Sequence, residues 1–251
     1  MSLIYEPAGR AREYAPLALN PYNGCTHGCS YCFAPAVLHK PRAVFHADPA
    51  PRADVIAKLE RELDREPAGK PRPPVLLCFT TDLYQPRAAE TGISRRAIEL
   101  LHEYGYPVQV LTKGGMRSAV DFDLLGAVAG DAYAATLTFI EPAASAEWEP
   151  GAALPAERLA ALALAHAEGI TTWASLEPVV DPEQTLALIR EAHGYVDLFK
   201  VGKLNYDPLA KTIDWPAFAA RAVALLEELG ARYYVKNDLR RYLGGGDATT
   251  D

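Results

Sequence analysis

Short apolar runs and longer amphipathic stretches alternate along most of the chain. The apolar runs are compact, as expected of strands that are buried on both faces. Predicted strands cover residues 17–20, 75–79, 108–111, 133–139, 170–176, 196–201 and 232–235. Between them apolar residues recur at helical spacing, and predicted helices cover residues 52–65, 92–104, 118–128, 155–168, 182–192 and 215–229. This alternation predicts βαβ units and a parallel sheet.

The number of these units fits a single α/β domain over residues 1–251. Six or seven units suit an incomplete (β/α) barrel, and barrels of this length are routinely undivided. Proline and glycine breakers predict an irregular lead-in over residues 1–16. Four prolines within residues 35–51 predict a loop or short helical turns. Residues 243–251 predict a flexible tail.

The composition is typical of a folded protein, and the cysteine content indicates a reducing compartment. Apolar residues make up 49% of the chain and charged residues 23%, which suits a substantial core. No apolar stretch approaches the roughly 18 residues of a membrane span, and the start of the chain lacks the pattern of a secretory signal. With 4 cysteines and no export signal, we expect a cytoplasmic protein and no membrane partner.

Net charge bears on the class of substrate. The formal net charge is −7, whereas proteins that bind nucleic acid usually present a basic face that displaces counterions from phosphates. Basic residues are scattered, with small groups at Lys70–Arg72 and Arg240–Arg241. A nucleic-acid substrate is therefore possible but not favoured.

Three cysteines close together carry the main chemical signal. Cys25, Cys29 and Cys32 are spaced C-x3-C-x2-C, so their thiolates can hold three corners of one compact metal centre. A cluster of four irons ordinarily uses four thiolates. Three leave one iron open to an outside molecule.

Three other interpretations of the cysteines compete with an iron–sulfur cluster. Zinc needs a fourth ligand, for which His27 and Cys78 are the candidates. A disulfide framework is typical of short secreted chains with an even set of cysteines. A thioredoxin-like pair would use Cys29 and Cys32 and leave Cys25 without a role.

Polar residues follow five consecutive predicted strands. In a parallel α/β barrel the functional side chains lie at the carboxyl ends of the strands. One such residue alone is compatible with a helix cap or a solvated loop, but five together favour a site. They are Thr81 with Asp82, Lys113, Glu141, Glu177, and Lys203 with Asn205.

The cysteine segment resembles a known family. Its sequence, Asn20-Pro-Tyr-x-Gly-Cys-x-His-Gly-Cys-x-Tyr-Cys32, is similar to the radical S-adenosylmethionine (SAM) enzymes of the spore photoproduct lyase-like branch. The resemblance implies a partial (β/α)6-type TIM barrel and a [4Fe–4S] cluster on Cys25, Cys29 and Cys32. It also implies reductive cleavage of SAM, hydrogen-atom abstraction from a substrate, and an external electron donor such as flavodoxin or ferredoxin.

The resemblance extends to the strand ends. The segments Thr-Asp-x-Tyr-Gln-Pro, Leu-Thr-Lys and Thr-x-Thr look like those of the same branch. By that likeness Thr81 and Asp82 would face the aminoacyl end of SAM, and Lys113 would pair with its carboxylate. Thr136 or Thr138 would reach the ribose or the sulfonium. Glu177 is a further candidate for the ribose hydroxyls.

Simpler roles remain open for two of these residues. Lys113 also fits a surface loop, and Glu177 also fits an ion pair with Lys200 or Lys203.

The chain departs from the lyase at two positions. The lyase donates hydrogen from a strand cysteine at the position that is Phe79 here, and Cys78 lies one residue earlier, on the opposite face of a strand. The lyase also has a tyrosine where this chain has Phe33. Lesion repair in DNA is therefore an alternative function. A second alternative is a zinc- or cluster-bearing binding module without radical chemistry.

Overall fold

The computed structural model describes residues 2–67, 69–88 and 91–244. In chain order its strands are β1 (Ile4–Tyr5), β2 (Leu17–Leu19), β3 (Tyr22–Asn23), β4 (Ala50–Pro51), β5 (Val75–Leu77), β6 (Val108–Thr112), β7 (Ala132–Thr136), β8 (Thr172–Leu176), β9 (Leu198–Val201) and β10 (Tyr233–Val235). Of the predicted tail 243–251, residues 245–251 lie outside the described part of the chain.

Parallel pairing joins most of these strands, as the alternation of apolar runs predicted. One sheet has the order β1-β2-β5-β6-β7-β8-β9-β10. All its neighbours are parallel except β1, which pairs antiparallel with β2. Strands β1 and β10 lie at the two ends of this order and do not pair with each other, so the sheet stays open. It therefore forms a partial (β/α) barrel. Strands β3 and β4 form a separate antiparallel ribbon.

The described residues form longer helices that pack on the outer face of the sheet and shorter helices in the connecting segments. They are α1 (Ala34–Val37), α2 (Arg42–Ala47), α3 (Val55–Leu63), α4 (Ile93–Glu103), α5 (Pro142–Trp148), α6 (Pro155–Ala167), α7 (Pro182–Ala192), α8 (Trp215–Glu228) and α9 (Asn237–Arg240). Fully buried Leu59, Ile98, Leu162, Ile189 and Leu226 belong to the core between sheet and helices. Asp181 caps α7 by accepting hydrogen bonds from the backbone N–H groups of Glu183 and Gln184.

The helix predicted over residues 118–128 is wrong. The segment forms a 3-10 helix over Gly115–Asp121 and then a series of turns. The Asp131 carboxylate explains the turns, because it accepts hydrogen bonds from the N–H groups of Gly126 and Val128, both at 3.1 Å. A side chain that takes backbone donors in this way competes with the helical hydrogen-bond ladder.

The lead-in over residues 1–16 is more regular than its breakers predicted. It contains β1 and a 3-10 helix over Gly9–Glu13. Strand β1 is held by Glu62 of α3, which accepts hydrogen bonds from the N–H groups of Leu3 at 2.7 Å and Ile4 at 3.1 Å. Two residues are too few for a hydrophobic pattern to predict a strand.

Small residues on the inner face of the sheet leave space that the large Tyr14 side chain occupies. Ala18, Ala132 and Ala134 form a buried cluster there with Trp173, and Tyr14 from the lead-in packs into the same cluster. Because alanine fills little volume, the barrel interior has room for the Tyr14 ring. No helix in the described ranges is long and apolar enough to cross a membrane.

Candidate active site at the carboxyl ends of the strands

A cavity of about 450 Å³ opens where the parallel strands end. Three of the predicted site residues line it, namely Lys113, Thr136 and Glu177. Tyr31 and Phe33 bring the cysteine segment to its wall. The other three, Thr81, Asp82 and Thr138, are not part of its described lining.

Segment α1–α2 holds the cysteine loop from one side. The Cys25 N–H donates to the Phe45 carbonyl at 3.2 Å, and the Cys25 carbonyl lies 2.7 Å from Nδ1 of His46. The Arg42 guanidinium donates to the carbonyls of Cys29 and Cys32. These contacts fix the loop backbone, because its polar groups are bonded to a neighbouring element rather than to solvent.

Two further segments clamp the same loop. In the segment after β5, Oε1 of Gln85 accepts the Thr26 N–H at 2.8 Å. In the segment at the end of α5, the Trp148 carbonyl accepts the Ser30 N–H at 2.8 Å, and the Gly151 N–H donates to the His27 carbonyl at 2.9 Å. The Gly151 backbone lies so close that a Cβ there would be 2.2 Å from the Thr26 carbonyl oxygen. Only glycine fits this approach.

The thiols of the loop suit a polynuclear centre. Cys25 and Cys29 are buried, Cys32 is half-buried, and all are free. Burial raises the pKa of each thiol, for Cys29 to about 11, and the charge of Lys113 opposes this for Cys29 and Cys32. A bound metal would replace the proton.

A single zinc ion fits these residues less well. Among the described residues, no group of three His, Cys, Asp or Glu side chains converges tightly enough to hold one ion. A tetrahedral zinc site needs such convergence, whereas an iron–sulfur cluster spreads its thiolates over several irons. His27, one candidate for a fourth ligand, instead has Nδ1 3.5 Å from Oδ2 of Asp82. Burial lowers the pKa of His27 to about 4.

Asp82 joins the loop after β5 to the end of β6. Its Oδ1 accepts hydrogen bonds from the Thr112 hydroxyl at 2.6 Å and the Tyr84 N–H at 2.8 Å. Its Oδ2 accepts the Lys113 N–H at 2.7 Å. Its neighbour Thr81 has a buried hydroxyl beside the Cys78 thiol, which is a weak hydrogen-bond partner.

Lys113 brings a positive charge to the cavity. Its Nζ lies 5.5 Å from the centroid of the Tyr31 ring, and no ion pair holds it among the residues described. Burial opposes the charge, but Cys29, when it is ionised, and the Glu149 carboxylate outweigh this effect and raise the pKa of Lys113. The lysine is therefore a cation at neutral pH, and it is not the surface loop residue of the simpler interpretation.

A buried ion pair behind the cysteine loop escaped the sequence analysis. Arg158 of α6 and Glu149 lie 2.6 Å apart and are almost fully buried. Glu149 also accepts hydrogen bonds from Tyr31 and from the Thr138 hydroxyl, the latter at 3.1 Å. One signal was present, because Arg158 shares the apolar face of α6 with Ala161, Leu162 and Ala165.

Glu177 lies in a second polar network, on the far side of the cavity. Its Oε2 accepts a hydrogen bond from the Tyr14 hydroxyl at 2.5 Å and forms an ion pair with Lys236. Neither expected lysine is its partner, since Lys200 donates to the Tyr14 carbonyl at 2.8 Å and Lys203 to the Tyr242 hydroxyl at 3.3 Å. Tyr14 and Lys236 are distant in sequence, and no motif pointed to them.

Solved structures of known enzymes share this fold. A variant of spore photoproduct lyase superposes with a TM-score of 0.68 at 14% identity, covering 92% of this chain and 78% of that chain. The lyase complexed with dinucleoside spore photoproduct gives a TM-score of 0.66 at 14% identity, with the same coverage of 92% and 78%. Streptococcus suis SuiB bound to S-adenosylmethionine gives 0.61 at 12% identity, covering 87% of this chain and 49% of that chain.

Sequence comparison finds relatives and a family. An uncharacterized protein of Mycobacterium tuberculosis, strain H37Rv, and one of Mycobacterium bovis are each 30% identical over 169 residues, which is 64% of this chain. The chain spans about half the length of these relatives, 49%. The sequence model of the Radical SAM superfamily matches residues 19–196. The chain therefore belongs to the radical SAM superfamily, and it is an enzyme whose cofactors are a [4Fe–4S] cluster and SAM.

Proposed function

We propose that this enzyme cleaves SAM reductively at a [4Fe–4S] cluster held by Cys25, Cys29 and Cys32. The supporting observation is the clamped three-thiol loop, which adjoins a strand-end cavity that contains the Lys113 cation. When bound, the cluster would supply the single electron for reductive cleavage of a carbon–sulfur bond of SAM, chemistry that would lead to hydrogen-atom abstraction from the substrate. The substrate itself is not identified.

The chain's own residues would bind and orient SAM in this cavity. Lys113 would pair with the SAM carboxylate, since a compact cation on a flexible stem suits an anion. Asp82 would act by holding the Lys113 backbone, and Thr81, whose hydroxyl is buried outside the described cavity lining, is assigned no direct contact with SAM. Thr136 would reach the ribose from the end of β7, and Thr138 would act through Tyr31, which its hydroxyl contacts at 3.2 Å. Glu177 accepts its hydrogen bonds through Oε2, which leaves Oε1 for ribose hydroxyls.

The test is an anaerobic reconstitution of the protein. We expect about four irons per chain and release of 5′-deoxyadenosine from SAM with dithionite. The variant with Cys25, Cys29 and Cys32 replaced by alanine should lose both, whereas Cys78→Ala, a buried cysteine outside the loop, should keep both. Zinc in place of iron would contradict the proposal and favour the binding module. A full cluster that neither cleaves SAM nor responds to it spectrally would do the same.

Lys113 offers a second check on the same site. Lys113→Ala should weaken SAM binding to the reconstituted protein by at least about thirtyfold, because an ion pair with a buried carboxylate is lost. Its iron content should stay unchanged. The exposed Lys211→Ala serves as the control. Unchanged SAM affinity in Lys113→Ala would remove this residue from the proposal.

A nucleic-acid substrate gains one argument from the cavity lining. Arg10, Lys113, Lys203 and Lys236 line the cavity against the single carboxylate of Glu177, although the whole chain has a net charge of −7. Tyr5, Phe33, Phe79 and Tyr206 add aromatic surface of the kind on which bases stack. Binding of a labelled single-stranded oligonucleotide that weakens with salt, and weakens further in Lys203→Glu, would support this second candidate.

Repair chemistry of the lyase type is not part of our proposal. Phe79 lines the cavity, while Cys78 is buried and does not belong to the described lining. A thiol in that position is not set to give a hydrogen atom to a substrate radical in the cavity. The free thiols suit a reducing compartment, so we place the enzyme in the cytoplasm.

A further inference from the structure

Reductive cleavage of SAM, as proposed above, requires an electron from outside the protein. The chain has 4 cysteines, of which three are in the proposed cluster loop. The fourth, Cys78, is buried within the core. The cysteines of this chain therefore cannot hold a second cluster to relay electrons, and an electron that reaches the first cluster enters through the surface of this chain.

The surface next to the cysteine loop is unusually apolar. Eight large apolar residues are exposed in the described ranges, and four of them lie within one short segment. These four are Phe33, Val37, Leu38 and Val44. They follow Cys32 directly and belong to α1, α2 and the residues beside them. We call this surface the α1–α2 face.

The charge of the α1–α2 face is opposite to that of the whole chain. No aspartate or glutamate occurs between Glu13 and Asp48, although the net charge of the protein is −7. Lys40 and Arg42 are exposed on the face. Asp48, at its border, is neutralised by Arg87, whose Nη1 lies 2.5 Å from the carboxylate. The face is therefore cationic as well as apolar.

The α1–α2 face adjoins the cluster loop, because it follows the loop in the chain and is hydrogen-bonded to it. Arg42 of α2 donates to the carbonyls of two loop cysteines, and His46 and Phe45 bond the third, Cys25. Phe33 also reaches inward, with its ring centroid 5.4 Å from that of Phe79 in the cavity wall. A protein that docks here contacts the segment that directly follows Cys32 and that holds the cysteine loop.

We propose that the α1–α2 face docks an acidic protein that carries single electrons, and that the electron enters the cluster there. This inference rests on the proposed function. Opposite charges raise the rate of encounter and orient the partner. A small apolar centre suits an electron-transfer complex, whose interfaces are among the smallest known, commonly below about 1,200 Å².

A matched pair of double variants tests the proposal. Lys40→Glu with Val44→Asp changes the α1–α2 face, and Lys70→Glu with Val120→Asp makes the same change in charge elsewhere. Val44 and Val120 are equally exposed, at 64% and 66%. Arg42 is left intact because it holds the loop, and Val37 because it lines the cavity.

Two measurements are made on each reconstituted protein. The first is 5′-deoxyadenosine formation driven either by reduced flavodoxin or by dithionite. The second is binding of oxidised flavodoxin without SAM, at low and at high salt. We expect the second-order rate constant of the face variant with flavodoxin to fall about tenfold. Its affinity for flavodoxin should fall by a similar factor. Its dithionite rate should stay within about twofold of the wild type, as should all values of the control.

The outcomes separate this proposal from the function on which it rests. Equal flavodoxin dependence in the two double variants would overturn the docking face. Loss of the dithionite rate in the face variant alone would also overturn it, since the face would then hold the cluster rather than the carrier. Wild-type protein that fails with dithionite would contradict the proposed function instead, and flavodoxin binding would still decide the docking face.

Discussion

Asp82 occupies a buried position where three hydrogen-bond donors from two strand-end segments converge. The Thr112 hydroxyl and the N–H groups of Tyr84 and Lys113 all donate to its two oxygens. Sequence resemblance assigned this carboxylate to SAM, and the hydrogen bonds give it a task within the fold as well. It fixes the backbone from which the Lys113 side chain extends into the cavity.

Removal of the Asp82 carboxylate should destabilise the protein. In Asp82→Ala three donors lose their acceptor in a buried place, so we expect the free energy of unfolding to fall by about 2–4 kcal/mol. Urea denaturation measures it. Asp48→Ala removes an exposed carboxylate that is paired with Arg87 and should cost less than about 1 kcal/mol. Equal losses in the two variants would show that the three hydrogen bonds contribute little.

Lys200 should make stability depend on alkaline pH. Burial lowers its pKa from 10.5 to about 8, with a further lowering by Lys236 and an opposing effect of Glu13. Because the unfolded chain then binds the proton more tightly, the cost of burying the charge is fully present below pH 8. That cost disappears as pH rises from 8 to 10.5.

The Lys200→Met variant isolates this contribution. Its stability advantage over the wild type should be largest at pH 7 and should shrink by about 3 kcal/mol toward pH 10.5. The measurement is urea denaturation across this range, and the exposed Lys70→Met is the control. A difference that does not change with pH would mean that the Lys200 charge is solvated in the native protein.

Segment Trp148–Gly151 acts as a clamp at the scale of elements. It connects α5 to the loop before α6 and contacts the cysteine loop at Ser30 and His27. Glu149, in the middle of the segment, pairs with Arg158. The clamp thus joins the cysteine loop to the body of α6.

A methyl group at Gly151 should loosen the clamp. A Cβ there would lie 2.2 Å from the Thr26 carbonyl oxygen, whereas one at Gly194 would meet nothing within 4 Å. We expect Gly151→Ala to lose about 1–3 kcal/mol of stability and to retain less iron after reconstitution than Gly194→Ala. If both variants keep the same iron and the same unfolding midpoint, the clamp does not constrain the cysteine loop.

Elements with strong local signals were predictable from the sequence, and the remainder depended on distant partners. Helix α7 was predicted with its observed bounds because its apolar spacing is a local signal in the chain. The helix predicted over residues 118–128 was wrong because the Asp131 carboxylate accepts the N–H groups of Gly126 and Val128, and hydrophobic spacing does not report side-chain bonds of this kind. The cysteines and Lys113 had motifs, whereas Tyr14 and Lys236 meet Glu177 only through the fold.

The whole molecule is a sheet whose open side is closed by the lead-in. Glu13 accepts hydrogen bonds from the Tyr234 hydroxyl at 3.0 Å and the Asn237 N–H at 2.8 Å, across from the edge at β1. Arg10 lies 3.5 Å from Asp238 of α9. Tyr14 then fills the barrel interior beside Trp173. The segment that looked irregular in sequence therefore joins the first part of the sheet to the last.

Loss of the Tyr14 ring should destabilise the whole barrel. Tyr14→Ala removes a buried aromatic ring and the hydroxyl that donates to Glu177, so we expect a loss of about 3–5 kcal/mol. Tyr206→Ala provides the control, since that ring is 87% exposed, and should cost less than about 1 kcal/mol. Similar urea midpoints for the two variants would contradict a closing role for the lead-in.

The clamp also has an optical consequence. It places the Trp148 indole on the segment that bonds the cysteine loop, while Trp173 lies in the barrel interior and Trp215 begins α8. A nearby iron–sulfur cluster absorbs broadly and quenches indole emission. In a protein with Trp173 and Trp215 replaced by phenylalanine, fluorescence from Trp148 should therefore rise as air destroys the cluster, so that the chain reports on the integrity of its own centre in real time.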